Sequence, residues 1–224
     1  MLRKGSSFVG EPFTVEVGYK VNGVGEIDMA KCVFEIDVKV FLFWTDKKAI
    51  GKKAGVTINL QKEGLFDPDI YVTNDHHLHI VSTEPRVTKS ETGEIKCTIH
   101  YRGTAFIRAM ELGLFPFDCQ NLQICLQSKS CAVQKLILVP RTDECALEHH
   151  VVHEWNVLNH KLNAFFFKAP NGAEYSTLFI SVLAQRQSGW FVNNVFVISS
   201  ALLAFACSSY LSPPVRLNSI LFWY

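Results

Sequence analysis

The feature that most restricts the fold of this chain is an apolar side chain at every second position between residues 32 and 44. Successive side chains of a strand point to opposite faces, whereas a helix returns to the same face about every 3.6 residues. Glu35, Asp37 and Lys39 occupy one face. The other face is apolar and carries Cys32, Phe34, Ile36, Val38, Val40, Leu42 and Trp44. This pattern cannot be fitted to a helix and predicts a long β-strand with one buried face.

Shorter alternating segments predict further strands at 13–18, 94–101, 104–110, 120–127, 136–139 and 175–186. Glycine and proline punctuate them, and we predict turns at 22–25, 102–103 and 170–172 and a strand end at Pro140. Residues 141–153 are polar and are predicted to be irregular. Because no segment of helical period interrupts residues 13–186, we predict an all-β, immunoglobulin-like β-sandwich over residues 8–187.

The composition changes abruptly after this domain, because residues 190–211 carry no charged side chain. As a helix this segment would be about 33 Å long, enough to cross a hydrocarbon core of ~30 Å. Trp190 and Tyr210 lie at its two ends, as expected of interfacial anchors. The alternative, a buried helix of a soluble core, would be unusually long and would lack a polar face. We therefore predict one transmembrane helix at 190–211.

Several function classes are excluded by composition and motifs. A net charge of +1 without a basic stripe gives no reason to expect a nucleic-acid partner. The chain lacks the nucleophile, phosphate-loop and HExxH motifs of enzymes, so we expect neither catalysis nor a cofactor. The seven cysteines have no zinc-ligand spacing, and the histidines near residue 77 are too loosely spaced to define a metal site.

A second apolar segment, residues 112–117, leads into the strand at 120–127 and contains the pattern aromatic-Pro-Phe-Asp-x-Gln. Apolar side chains in a turn are unfavourable in water, so the loop either folds onto its own core or docks on another apolar surface. The pattern resembles the signature loop of the pentameric ligand-gated ion channels, the Cys-loop receptor superfamily. Other motifs in family order support this resemblance: Trp44-Thr45-Asp46, Pro68-Asp69, Asn74, Glu154-Trp155 and Arg186, with Phe66 replacing a tryptophan.

The resemblance implies a channel subunit in which ligand binding at subunit interfaces opens a transmembrane pore. The positions of the family's signature disulfide, near Arg108 and Leu122, carry no cysteine, as in bacterial or protist-like members. Residues 212–224 resemble the link into the pore helix, which implies a fragment. The implied partners are homologous subunits in a homo- or hetero-pentamer, the lipid bilayer and an unknown small-molecule or proton ligand. The implied location is the plasma membrane, with the sandwich extracellular. A membrane-anchored β-sandwich binding module without conduction is the alternative.

Functional residues follow from the same resemblance. The coupling loop would be Phe115, Pro116, Phe117 and Asp118, and Arg186 would mark the membrane junction. Asp118 and Arg186 could pair there, or each could be a solvated charge. The ligand-binding candidates are Thr73, Asn74, Phe166, Phe167 and Tyr175, although burial in a core would also explain the phenylalanines. Because Thr73 and the segment 128–130 lack the aromatic side chains that relatives carry there, we do not expect a choline-like ligand.

Two groups of histidines could sense protons. His76, His77 and His79 fall in the first binding loop, and His149, His150 and His153 fall in a segment that relatives place across the subunit interface. Histidine titrates near pH ~6.5, so acidification would add like charges on both sides of that interface. The alternative is that all six are exposed, independent loop histidines.

Overall fold

The computed structural model describes residues 11–148, 154–170 and 172–211. These residues form nine β-strands: β1 (Phe13–Asp28), β2 (Val33–Thr45), β3 (Ile70–Val72), β4 (Asp75–Lys89), β5 (Glu94–Phe106), β6 (Cys119–Ser128), β7 (Leu136–Leu147), β8 (Trp155–Lys168) and β9 (Glu174–Arg186). A 3₁₀ turn, Lys47–Ala49, follows β2. A helix follows β9 and consists of α1 (Gly189–Phe191), a π-helical segment (Val192–Val197) and α2 (Ile198–Leu211).

The strands form two sheets. The five-stranded sheet has the order β4-β5-β2-β1-β7, and the four-stranded sheet has the order β3-β6-β9-β8. All neighbouring strands are antiparallel except β1 and β7, which are parallel. Strands from both sheets contribute to one hydrophobic core, so the predicted all-β sandwich followed by one apolar helix is confirmed.

The alternation in β2 sets one face of this core. Phe34, Ile36, Val38, Val40, Leu42 and Trp44 are each 3% exposed or less. Cys32 is the exception and is exposed, because it lies in the turn before β2 with a φ of 57°. The opposite sheet supplies Leu122, Ile124, Leu126, Leu178, Ile180 and Val182. Each such aliphatic side chain stabilises the fold by about 1.5–3 kcal/mol on full burial.

Two predicted turns and one predicted strand end are wrong. β1 runs through residues 22–25, where its pairing with β2 shifts register on both sides of Gly23 and Val24. β5 runs through Gly103, whose φ is +137° and whose added Cβ would lie 2.0 Å from the His77 carbonyl oxygen. β7 continues past Pro140, which is tolerated because β7 is an edge strand. In each case the residue that suggested a turn serves a bulge, a close approach or a sheet edge instead.

The strands β4 and β7 differ from the predicted pattern. β4 was not predicted by alternation, and it is an edge strand whose side chains are mostly exposed or half-buried. The second half of β7, which the polar composition of residues 141–147 had suggested to be irregular, pairs with β1. Edge strands have one unpaired side and little buried surface, so their sequences are weakly constrained.

The C-terminal helix is long and apolar enough over Gly189–Tyr210 to cross a membrane, and none of that stretch is buried against the sandwich. In this structure the helix is therefore not a buried core helix. The helix contains no proline, yet it is not a uniform α-helix, because Val192–Val197 adopts the wider π-helical winding. The predicted link at residues 212–224 lies outside the described residues.

Candidate functional site

A cavity of about 390 Å³ lies on the side of the four-stranded sheet that faces away from the core. Its position follows from the alternation of β9, in which Leu178 and Ile180 enter the core while Thr177 and Phe179 take the other face. This volume is in the range of small-molecule sites. The lining residues come from β3, β6, β8, β9 and the chain after β3 and β5: Tyr71, Thr73, Arg108, Gln127, Phe165, Phe166, Phe167, Thr177 and Phe179.

The structure brings together three of the five predicted ligand-binding residues. Thr73, Phe166 and Phe167 all line the cavity. Tyr175 pairs with Phe167 across the β8–β9 hairpin and is not among the lining residues. Asn74 is buried at 7% exposure, and its side chain binds backbone groups.

Those bonds make Asn74 a junction between both sheets. Its amide nitrogen donates to the carbonyl oxygens of Phe106 (2.8 Å) and Gln123 (2.7 Å). Its amide oxygen accepts from the Cys125 backbone nitrogen at 3.0 Å. The side chain therefore joins the segment after β3 to the end of β5 and to the middle of β6, next to the cavity.

The polar groups of the cavity include a cation beside aromatic rings. The Arg108 guanidinium lies 5.4 Å from the ring centroid of Phe179. Burial raises the pKa of the neighbouring Cys125 thiol to about 11, although the charge of Arg108 and hydrogen bonds with Thr73 and Arg108 act in the opposite direction. Thr177 is 4% exposed, and its hydroxyl has no hydrogen-bond partner among the described residues. Thr73, Arg108 and Thr177 thus line one aromatic pocket.

The predicted coupling loop does not fold back onto the core. Leu112, Leu114 and Phe117 are 54%, 74% and 60% exposed, and the bond between Phe115 and Pro116 is cis. The Phe115 ring instead meets the ring of Phe191, in the C-terminal helix, at a centroid distance of 5.0 Å. The loop thus presents an apolar surface beside the start of the helix.

Asp118 and Arg186 form a buried ion pair, so the interpretation of two solvated charges is wrong. The guanidinium donates to both carboxylate oxygens, at 2.8 and 3.2 Å, and the two side chains are 1% and 5% exposed. Burial raises the pKa of Asp118, but the hydrogen bonds from Arg186 and Gln120 and the arginine's charge outweigh this and leave the pKa lowered. The guanidinium also lies 4.3 Å from the ring centroid of Trp155. The pair therefore ties the coupling loop to the last residue of β9, three residues before α1.

A family model described as the neurotransmitter-gated ion-channel ligand-binding domain matches residues 3–187. The chain belongs to this family. A search of curated proteins found no significant match. This ligand-binding domain family is one of receptor and channel subunits and not of enzymes, and the matched residues end just before the membrane-capable helix.

Gln120 of the ligand-binding domain is a site residue that sequence reasoning placed only on a strand face. It is fully buried, and its amide nitrogen donates to the Glu111 carbonyl oxygen (2.6 Å) and to Asp118 (2.8 Å). Its amide oxygen accepts from the Glu111 backbone nitrogen at 3.2 Å. The side chain therefore closes the base of the coupling loop. The sequence signal for this role is a polar side chain at a position where the alternation predicts an apolar, buried one.

The histidines of the first group lie on β4. His76 is half-buried, its Nδ1 is 3.1 Å from the Thr104 hydroxyl, and its ring lies 4.1 Å from that of His77. His77 and His79 are exposed. His149, His150 and His153 lie outside the described residues, so the approach of the two groups across an interface stays a prediction.

All seven cysteines of the ligand-binding domain and helix are free thiols, and Cys97, Cys125 and Cys131 are buried. Within residues 11–148, 154–170 and 172–211, no three His, Cys, Asp or Glu side chains form a group that could hold a metal ion. The sandwich is therefore held by its core and hydrogen bonds rather than by cross-links.

Proposed function

We propose that this chain is a subunit of a pentameric ligand-gated ion channel. A small molecule binds the aromatic cavity where it meets a neighbouring subunit, and this binding opens a transmembrane pore. The proposal is supported by the family match over residues 3–187 and by the membrane-capable helix that follows. The cavity supplies a site of small-molecule size on the same domain.

The observation that carries the proposal is the physical link between sandwich and helix. The Asp118–Arg186 pair holds the coupling loop against the end of β9, and Phe115 contacts Phe191 inside the helix. A buried pair with two aligned hydrogen bonds is geometrically specific, so the loop and the strand end cannot shift independently. A displacement of the loop is therefore passed to the first turn of the helix.

Homologous subunits are the proposed partners. Phe165, Phe166 and Phe167 are 53–66% exposed on the edge strand β8. Ile80 and Val81 are 60% and 56% exposed on β4, the edge strand of the other sheet. Two different apolar edges suit a head-to-tail contact, which closes into a ring when the rotation between copies allows it. In this arrangement the exposed phenylalanines would be covered by the neighbour.

The proposed location is the plasma membrane, with the sandwich outside the cell. Trp190 and Tyr210 are 63% and 94% exposed at the two ends of the helix. Aromatic side chains of this kind favour the two membrane interfaces. Apolar side chains exposed between them, such as Leu202 and Phe205, suit contact with lipid or with further helices.

The experiment combines assembly with conduction. Native mass spectrometry of the chain in lipid nanodiscs should give a pentamer. Cells expressing the longest reading frame that contains this sequence should carry a ligand-evoked current. A monomer without current would instead support the membrane-anchored binding module. Replacing Phe166 and Ile80 with serine should weaken the pentamer, whereas replacing the exposed Val56, which lies outside the strands, should not.

A further inference from the structure

The charges around the aromatic cavity are of one sign. Arg108 is the cation among the lining residues, and no Asp or Glu side chain lines the cavity in the described part of the chain. The Lys129 ammonium adds a second cation, 5.5 Å from the ring centroid of Tyr71, which forms part of the wall. An ammonium ligand would meet like charge at this site, whereas an anion would meet opposite charge.

The aromatic faces are already occupied by the protein's own cations. Arg108 lies over Phe179 and Lys129 lies over Tyr71. The attraction that a ring quadrupole offers to a cation is thus used within the chain at two of the walls. The exposed aromatic surface is that of Phe166 and Phe167 and the part of Phe165 that does not contact Phe179, and it is suited to an apolar ring.

Two threonines, Thr73 and Thr177, are among the residues that line the cavity. The Thr177 hydroxyl is buried and has no hydrogen-bond partner among the described residues. Leaving a buried hydroxyl unpaired is costly, and such groups normally have a hydrogen-bond partner. Thr177 is two residues from Phe179 on the same face of β9, about 7 Å along the strand, so Thr177 and the Arg108 that lies over Phe179 flank one wall.

We propose that the cavity binds a small amphipathic anion, a monocarboxylate attached to an aromatic ring. The carboxylate accepts hydrogen bonds from the Arg108 guanidinium and from the hydroxyl of a lining threonine, Thr73 or Thr177. The ring lies against Phe165, Phe166 and Phe167. The inference rests on the proposed function, since it names the ligand class of the same site.

The test uses the whole chain in nanodiscs and a pair of probes of matched size, phenylacetate and 2-phenylethylammonium, at neutral pH. Isothermal titration calorimetry should show phenylacetate binding at least about tenfold more tightly than the ammonium, a difference of about 1.4 kcal/mol. Arg108→Gln should weaken phenylacetate binding by about tenfold, and Arg108→Lys should retain part of it. Lys161→Gln is the matched control, because Lys161 is an exposed cation on β8 outside the cavity lining, and it should have no effect.

Equal or tighter binding of the ammonium would overturn the inference, as would absence of phenylacetate binding or unchanged binding in Arg108→Gln. Thermal unfolding of each variant verifies that its sandwich is folded, and Arg108→Lys provides a second reading if Arg108→Gln is unstable. The oligomeric state is measured on the same samples. A pentamer that does not bind phenylacetate refutes the ligand class alone, whereas a monomer that binds it refutes the channel assembly.

Discussion

Replacing Asp118 with asparagine tests the junction between sandwich and helix most directly. The change removes one negative charge and little volume, and it leaves the Arg186 guanidinium 5% exposed with no carboxylate beside it. Because a buried charge without its partner costs about 3–5 kcal/mol, Asp118→Asn should lower the free energy of unfolding of the sandwich by that amount. Since every 1.4 kcal/mol is a tenfold change, the unfolding constant should rise by roughly a hundredfold to a few thousandfold.

The assay is urea unfolding followed by tryptophan fluorescence, since Trp155 contacts Arg186 directly. Asp143→Asn is the control, because Asp143 is 71% exposed and its contact with Arg141 is 3.4 Å long. Such an exposed pair contributes less than about 1 kcal/mol. The double variant Asp118→Asn/Arg186→Gln should recover part of the loss, since it removes the uncompensated charge as well. A loss in Asp118→Asn no larger than that in Asp143→Asn would refute the reasoning.

The same pair determines a pH dependence. The pKa of Asp118 is lowered from its ordinary value of 3.8, because the bonds from Arg186 and Gln120 outweigh the opposite effect of burial. A carboxyl with a lowered pKa contributes its full stability above its unfolded pKa and loses it as the pH falls through the folded pKa. The difference in stability between the wild-type chain and Asp118→Asn should therefore be largest near neutral pH and shrink in acid.

Three further changes have defined outcomes. The half-buried carboxylate of Asp37 accepts hydrogen bonds from Asn22, His100 and Arg102, so Asp37→Asn should lower the free energy of unfolding in urea by about 1–3 kcal/mol. Burial raises the pKa of Asp37, but these bonds outweigh it and leave the pKa lowered, so the loss should be smaller in acid. An unchanged midpoint would contradict this. Phe115→Ser with Phe117→Ser should leave urea unfolding unchanged but abolish ligand-evoked current, since both side chains are about half exposed or more; equal loss of folding and current would indicate a core loop. Changing His76, His77 and His79 to glutamine should flatten any response of current or assembly between about pH 8 and pH 5, and an unaltered midpoint would leave these side chains without a role in proton sensing.

The sequence was most informative where one face of a strand is buried. Val38 and Val40 of β2, or Leu178 and Ile180 of β9, alternate strictly because a shift of one residue would expose the whole apolar face. The sequence was least informative at Gly103, because glycine permits a turn and a close strand approach equally well. Only the neighbouring strand, β4, decides between these uses.

The candidate site also contains residues that the sequence could predict and residues that it could not. Thr73 could be selected because the resemblance places it in the first binding loop, and Phe166 and Phe167 could be selected because they are aromatic. Arg108 and Phe179 belong to no motif, and their contact depends on how the end of β5 passes over β9. Asp118 and Arg186 are 68 residues apart, so their charges alone could not distinguish pairing from solvation.

Asn74 connects the cavity to the chain that leads into the coupling loop. Its neighbour Thr73 lines the cavity. The Asn74 amide nitrogen donates to the carbonyl oxygen of Phe106, and the chain after Phe106 leads into the coupling loop. Its other two bonds hold the backbone of β6, so one side chain joins all three segments. Under the proposed function, a ligand that displaces Thr73 should therefore move the coupling loop beside Phe191 as well. This connection depends on one side-chain amide, which Asn74→Ala would remove, so the cavity and the coupling loop would no longer be joined at this position.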